Sequence, residues 1–488
     1  MSTEASASPG SLTLPPAGAG RLLPERLSWL RERGQSWAST RLSAPWGWLG
    51  LALLLAGTVV VVAFSTAGGS VLVPKSNTIF PGWEAGPAGW LFGHPGLSII
   101  HTQRAWTGLL LVMFVAYGLT LLAARSLSLR LIAVAAVVLN LVLLLSPPLP
   151  FTDVFNYLGY ARLGTLHGLN PYTHVILNES WDPVYLFSSW HNLPSPYGPL
   201  FTALTYPLAL VSLPVAYWIL KVATVSASLG FLWCIYRCAR LLGKDPRPVL
   251  LLVAANPVYL FFAVGAFHND FFMLLPATGA IALLLARKDR SAGAVLMLAV
   301  AVKFTAVLLL PFLLMAARPP ERRIRVLVGV TLATVPLVVI DVLLFGHSLP
   351  NLSEQSSVVT PYSIPNLIGL AVGLGGRTPG LMRVLDVVLV GIVLWQLRRR
   401  DWIAGAGWAT VALIASTSWL MPWYVVWVLP LAALSGNRRL RATAVVFSLF
   451  LLLTFAPAFT QALTSLGFHP MGSRTGQAAL AYQKTLSH

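Results

Sequence analysis

Residues 131–162 read LIAVAAVVLNLVLLLSPPLPFTDVFNYLGYAR. From Leu131 to Leu145 the only polar side chain is Asn140, and the apolar residues follow one another without alternation. With its flanks this run approaches the roughly 17–25 residues that cross the hydrocarbon as a helix, and its continuity excludes a barrel strand. Pro147, Pro148 and Pro150 then interrupt it, and the chain changes character at Thr152-Asp153-Val154-Phe155-Asn156-Tyr157. A membrane span with a polar exit is the theme on which the rest of the sequence is read.

The whole chain repeats the first half of that theme. It has 488 residues, 56% of them hydrophobic and only 10% charged, with a mean hydropathy of +0.75. This composition implies an all-α polytopic membrane protein with the lipid bilayer as its solvent. The net charge of +18 sits in short Arg and Lys clusters between apolar runs, without a basic aromatic surface, so a nucleic-acid partner is not expected. Cys234 and Cys238 lie four apart on one apolar helix beside Arg237, an arrangement that argues against a disulfide or metal site. Residues 1–20 are rich in Ser, Ala, Gly and Pro and are expected to be disordered, while 21–47 form a basic amphipathic segment on the cytoplasmic membrane surface. The first apolar run, from about Trp48, starts too late and runs too long for a cleaved signal, so it is read as a retained anchor.

Basic clusters mark the cytoplasmic side and so orient the spans. With the N-terminus inside, spans at about 48–67, 106–124 and 131–147 leave residues 148–213 as an external loop region. The cluster Arg237, Arg240, Lys244 and Arg247 requires an odd number of crossings after that loop, so 198–212, which contains Pro207, is expected to be interfacial and 214–236 to cross. Spans at 248–266 and 271–287 follow, then a hairpin at 291–317 with Lys303 near its tip, and a span at 324–345 leading to an external loop at 346–380. Spans near 381–397, 402–418, 423–435 and 442–462 bring the total to about 13, within a transmembrane domain at 48–462 and ahead of an external tail at 463–488.

Polar chemistry collects on the expected outer side. Asp153, Tyr157 and Tyr160 share one face of a helix that starts at Thr152, although Thr152 or Asp153 could serve only to cap it. The same loop carries Arg162, Asn170, Tyr172, His191 and Tyr197. His268-Asn269-Asp270 lies at an external helix junction, where a capping role and a site role are both open. Lys303 is mid-run, which disfavours simple snorkelling and calls for an anionic partner or water. Trp423 and Tyr424 fit an aromatic belt as well as a substrate groove. Glu179 and Asp182 read as solvated loop charges, and no spacing of His and carboxylates resembles a metal motif.

Taken in order, Asp153-Val154-Phe155-Asn156-Tyr157, Gly168-Leu169-Asn170-Pro171-Tyr172, Pro196-Tyr197-Gly198-Pro199, His268-Asn269-Asp270, Lys303 and Pro422-Trp423-Tyr424 resemble the membrane-embedded GT-C glycosyltransferases. The chain is most similar to the polyprenol-phosphomannose-dependent α-1,6-mannosyltransferases of bacterial envelope lipoglycan assembly. The resemblance covers roughly residues 100–440. It implies a GT-C-like helix bundle with external juxtamembrane helices, in the inner (plasma) membrane with its active site outside. The implied substrates are a polyprenyl-phosphate sugar donor and a glycolipid or glycan acceptor, without a cofactor. Asp153 then matches the catalytic aspartate, the base that takes the acceptor hydroxyl proton, and Lys303 and Arg162 are expected to hold the donor phosphate. Tyr157, Asn170, Tyr172, His191, Tyr197, His268, Asn269, Asp270, Trp423 and Tyr424 are expected to bind substrate. A lipid or sugar transporter is the competing reading, motivated by the many spans and by an intramembrane lysine.

Overall fold

Helix Leu129–Leu144 begins on Ser128, whose hydroxyl accepts from the Leu131 N–H, and ends just before the proline run. The computed structural model describes residues 42–66, 72–73, 79–93, 99–351, 354, 357–373, 378–398 and 401–487, so the expectations for 1–20 and for most of 21–47 lie outside the described residues. Among the described residues every regular element is helical.

Helices Ala44–Ser65, His101–Leu122, Leu213–Leu241 and Pro320–Phe345 are long and apolar enough to cross a membrane. The last of these buries little of itself and exposes Leu332, Val335, Val338 and Leu343, a face suited to lipid and not to water. Two expected single spans are bent. Pro257 removes one backbone donor, Asn256 fills the gap by accepting from the Val258 N–H at 2.9 Å, and the axis turns by 53° into a π-helical segment, Val258–Val264. Likewise the run expected at 442–462 breaks at Pro457, where Arg438–Thr454 and Pro457–Ser465 meet at 74°. Among the described residues four helices are therefore long and apolar enough to cross unaided, or six spans if each bent pair counts once, with seven shorter apolar helices beside them.

The expected hairpin follows from two contacts. Asp289, at the start of helix Asp289–Val302, binds Arg322 at 2.6 Å and Arg325 at 3.1 Å, both near the start of Pro320–Phe345. The chain between must therefore return over the rise gained by the first helix. It does so by breaking at Lys303, which is extended (φ −152°, ψ 115°), and continuing as Phe304–Leu309 and Leu310–Ala316. The crossing is close because Gly293 and Gly329 lack side chains: a Cβ at either would lie 2.0 Å or 1.9 Å from the opposing backbone.

The expected loop at 148–213 is largely structured. It holds helix Asp153–His167, ended by Gly168 at φ 66°, two 3-10 turns, and helix Pro199–Thr205 running into Tyr206–Leu210. The region expected as a tail folds back as helix Arg474–Ser487, where Leu486 packs with Leu193 and Val358.

Candidate active site

Asp153 is the first residue of its helix, yet it does not cap through the bonds a cap requires. Thr152 is the N-cap but makes no capping bond; its hydroxyl meets that of Ser189 instead. Asp153 Oδ1 accepts from the Tyr197 hydroxyl at 3.3 Å. Burial raises the Asp153 pKa to about 6, with the Tyr197 hydrogen bond and the charge of Lys303 opposing it and Asp270 adding to it. Such a carboxylate is largely ionised at neutral pH and still basic enough to accept a proton.

One turn along the helix, the Tyr157 ring stands edge-on to Tyr197 at 4.8 Å and to Phe201 at 5.0 Å. Its hydroxyl accepts from the Asn269 N–H at 3.2 Å and lies 3.4 Å from His268 Nδ1. With the imidazole hydrogen on Nε2 the hydroxyl donates to Nδ1, and with it on Nδ1 the ring donates to the hydroxyl. Burial, then the charge of Lys303, hold the His268 pKa well below its ordinary value, so the ring is neutral. It stacks on Trp423 at 3.5 Å. Phe267, just before it, adopts φ 54°, a left-handed backbone that is costly for a non-glycine residue and marks a turn held by its surroundings.

Asn269 and Asp270 start helix Asp270–Leu285, and Asn269 provides no side-chain cap. Asp270, with no exposed surface, instead accepts through Oδ1 from Lys303 Nζ at 2.9 Å and Trp427 Nε1 at 2.5 Å. Lys303 has the anionic partner that its depth requires, and its ammonium also lies 4.9 Å from the Trp427 ring and 5.4 Å from that of Tyr424. Asp270 Oδ2, Asn269 Nδ2, His268 Nε2 and Thr305 Oγ1 are buried without a partner among the described residues. Buried polar groups are nearly always satisfied, so four orphans along one wall mark a place where a polar ligand fits.

These groups line one cavity of about 690 Å³, which brings together Asp153, Tyr157, Tyr197, His268, Asn269, Asp270, Lys303, Trp423 and Tyr424. Four expected site residues are placed elsewhere. Arg162 is committed to Asp182 at 2.8 Å, which also meets His167 at 2.9 Å. Asp182 is 3% exposed and so is not a solvated loop charge; burial works against its carboxylate, but the bonds from Arg162 and His167 outweigh this and hold its pKa low. Asn170 donates to the Phe345 carbonyl at 2.8 Å, and Tyr172 donates to the Tyr197 carbonyl at 3.0 Å, so both brace the wall from behind. His191 stacks on Tyr185 at 3.9 Å and contacts its carbonyl.

Conversely, Trp427, Trp190, Gln483 and Ser487 line the cavity without having been singled out. Trp427 stands one turn past Trp423, a spacing that was available as a signal. No local feature of the last helix announced its return to the cavity. Among the described residues no group of His, Cys, Asp and Glu could hold a metal ion.

Comparison with known proteins adds a family to this geometry. Residues 47–319 match the model described as alpha-(1->6)-mannopyranosyltransferase, N-terminal domain, and residues 196–454 match glycosyltransferase family 87. Alpha-(1->6)-mannopyranosyltransferase A of Mycobacterium tuberculosis is 25% identical over 442 residues, covering 82% of this chain and 83% of that protein. The Corynebacterium glutamicum protein of the same name is 32% identical over 179 residues, 35% of each chain. A probable alpha-(1->6)-mannopyranosyltransferase of Mycolicibacterium smegmatis is 26% identical over 367 residues, 63% of this chain and 66% of its own. No solved structure matches. With both family models spanning more than half of its length, the chain belongs to the α-(1→6)-mannopyranosyltransferase family of membrane glycosyltransferases and is a mannosyltransferase.

Proposed function

We propose that the protein transfers mannose from a polyprenyl-phosphate donor to a hydroxyl of a glycolipid or glycan acceptor on the external face of the plasma membrane. The observation that carries this reading is the cavity itself, where a basic carboxylate, Asp153, and a cation, Lys303, line the same space. Lys303 spends one proton on Asp270 and keeps two for a phosphate, and Asp270 fixes the position of the ammonium. The acceptor oxygen attacks the anomeric carbon, its proton passes to Asp153, and the bond to phosphate oxygen breaks with its electron pair leaving on the phosphate. Lys303 stabilises the charge that grows there. Asp270 is occupied by Lys303 and Trp427, and Asp386, which also lines the cavity, is exposed, which leaves Asp153 as the desolvated carboxylate free to react. A single displacement follows, and it inverts the anomeric centre. No nucleotide is needed in this sequence of events.

The outward orientation rests on the basic clusters, which assign Arg237, Arg287, Arg322 and Arg438 to the cytoplasm and Asp153 and Lys303 to the opposite side. A GT-C-like bundle with about 13 crossings then uses the shorter apolar helices as partial spans. Arg162 drops out of the phosphate site because Asp182 holds it.

The pH profile of transfer tests the role of Asp153. Its folded pKa of about 6 requires kcat to fall roughly tenfold per unit below that value and to level off above it. A profile that stays flat from pH 7 to pH 4.5 in protein that remains folded would remove the base from the scheme.

A further inference from the structure

A second cavity, of about 620 Å³, adjoins the first, and the two share Phe151, Trp419, Met421 and Gln483 as lining residues. Phe151 is two residues from Asp153, so an occupant of the second cavity reaches toward the proposed base. The two cavities differ in charge: the first contains Lys303, Asp153, Asp270 and Asp386, whereas among the described residues no carboxylate, lysine or arginine lines the second. Apart from the His469 imidazole the second cavity offers an anion no cationic partner, while its hydroxyls and amides suit an uncharged polyol. The Thr454, Thr460 and Thr464 hydroxyls already donate to backbone carbonyls, which leaves their lone pairs to accept from ligand hydroxyls. Gln477 gives one N–H to the Met471 carbonyl and keeps its carbonyl oxygen as an acceptor. Gln483 makes no hydrogen bond among the described residues and supplies both an amide donor and an acceptor to the wall.

Gln483 belongs to helix Arg474–Ser487, which lies beyond both family matches, since neither extends past residue 454. Asn192 fixes this helix by donating to the Leu486 carbonyl at 3.0 Å and the Thr485 carbonyl at 2.9 Å, and Tyr482 packs near Trp190 and Trp419. The wall is therefore anchored to the segment that carries Trp190, which lines the first cavity. Building on the proposed transfer reaction, we infer that the second cavity receives the uncharged glycan end of the acceptor and that Gln483 is its specificity-determining residue.

The test uses full-length protein in detergent, with octyl α-(1→6)-dimannoside as acceptor probe and farnesyl-phosphate mannose as donor probe. Acceptor binding is titrated without donor by intrinsic tryptophan fluorescence, and each KM is then measured in the transfer assay. Gln483→Ala is expected to weaken acceptor binding about tenfold, the loss of one ligand hydrogen bond, with the donor KM changed less than about twofold. Gln483→Trp, which fills the shared wall, is expected to weaken acceptor binding further while the thermal midpoint stays put. Unchanged acceptor affinity in both variants, or a loss confined to the donor, overturns the inference. Absence of any transfer by the wild-type protein from this donor counts against the donor class alone, because the acceptor titration is read without it.

Discussion

Asp153→Asn is expected to lower kcat by about 10²–10⁴-fold, the contribution of a positioned general base, while the protein remains folded. The substitution keeps the shape of the side chain and an oxygen that can accept from Tyr197, which lies 3.3 Å from the present carboxylate. What it removes is the ability to take a proton. Stability is expected to move the other way. Burial raises the Asp153 pKa from 3.8 to about 6, so the folded state disfavours the ionised form. A raised carboxylate pKa subtracts stability above the unfolded value, and the deficit is fully present once the pH exceeds about 6. The neutral amide relieves that penalty, by something on the order of 1–3 kcal/mol at pH 7, and the wild-type protein recovers the same margin as the pH falls from 6 toward 4. Thermal unfolding in detergent beside a transfer assay reads both effects. Undiminished turnover by folded Asp153→Asn would remove Asp153 as the base.

The second large effect belongs to the pair behind the cavity wall. Lys303→Met leaves Asp270, with no exposed surface, as a buried charge whose remaining donor is Trp427. Breaking a buried ion pair from one side costs about 3–5 kcal/mol because the abandoned charge has lost its water as well as its partner. Asp270→Asn strands Lys303 in turn, at the lower end of that range because the lysine side chain is 20% exposed. The double variant carries no stranded charge, so it is expected to regain most of the lost stability, while transfer stays reduced in all three because the phosphate-binding cation is absent or displaced. Chemical unfolding of the three variants and the parent gives the coupling energy directly. Recovery of turnover together with stability in the double variant would deprive Lys303 of its role in transfer.

How much of this was legible in the sequence depended on whether the physics was local. Span positions were readable because hydrophobic runs and basic clusters act segment by segment: a span at 48–67 was expected and Ala44–Ser65 is long and apolar enough to be one. The hairpin around Lys303 was equally readable, since two basic ends on one side force a return. Bends were not, because Pro257 and Pro457 lie inside apolar runs whose average hydropathy hides them. The site was legible where an anomalous polar residue sat on an apolar background, as with Asp153, Asp270 and Lys303. Arg162 misled because its partner Asp182, twenty residues away, resembled an ordinary loop charge until folding buried it. Helix Arg474–Ser487 was invisible for a related reason: its place depends on Leu486 meeting Leu193 and Val358, which no local pattern reveals.

A transporter would need its intramembrane charge for a transport path. Besides the many spans, that reading rested on Lys303, which is held by Asp270 in a cavity shared with Asp153, in a chain that matches mannosyltransferases.

In the proposed reaction one cavity presents a cation to the donor phosphate and a base to the acceptor hydroxyl. Electron cryomicroscopy of the Asp153→Asn protein with a bound polyprenyl-phosphate mannose tests it most directly. Phosphate density is expected within hydrogen-bonding distance of Lys303 Nζ, with the mannose ring between it and residue 153. Phosphate density remote from Lys303, or a sugar whose anomeric carbon points away from residue 153, would contradict it.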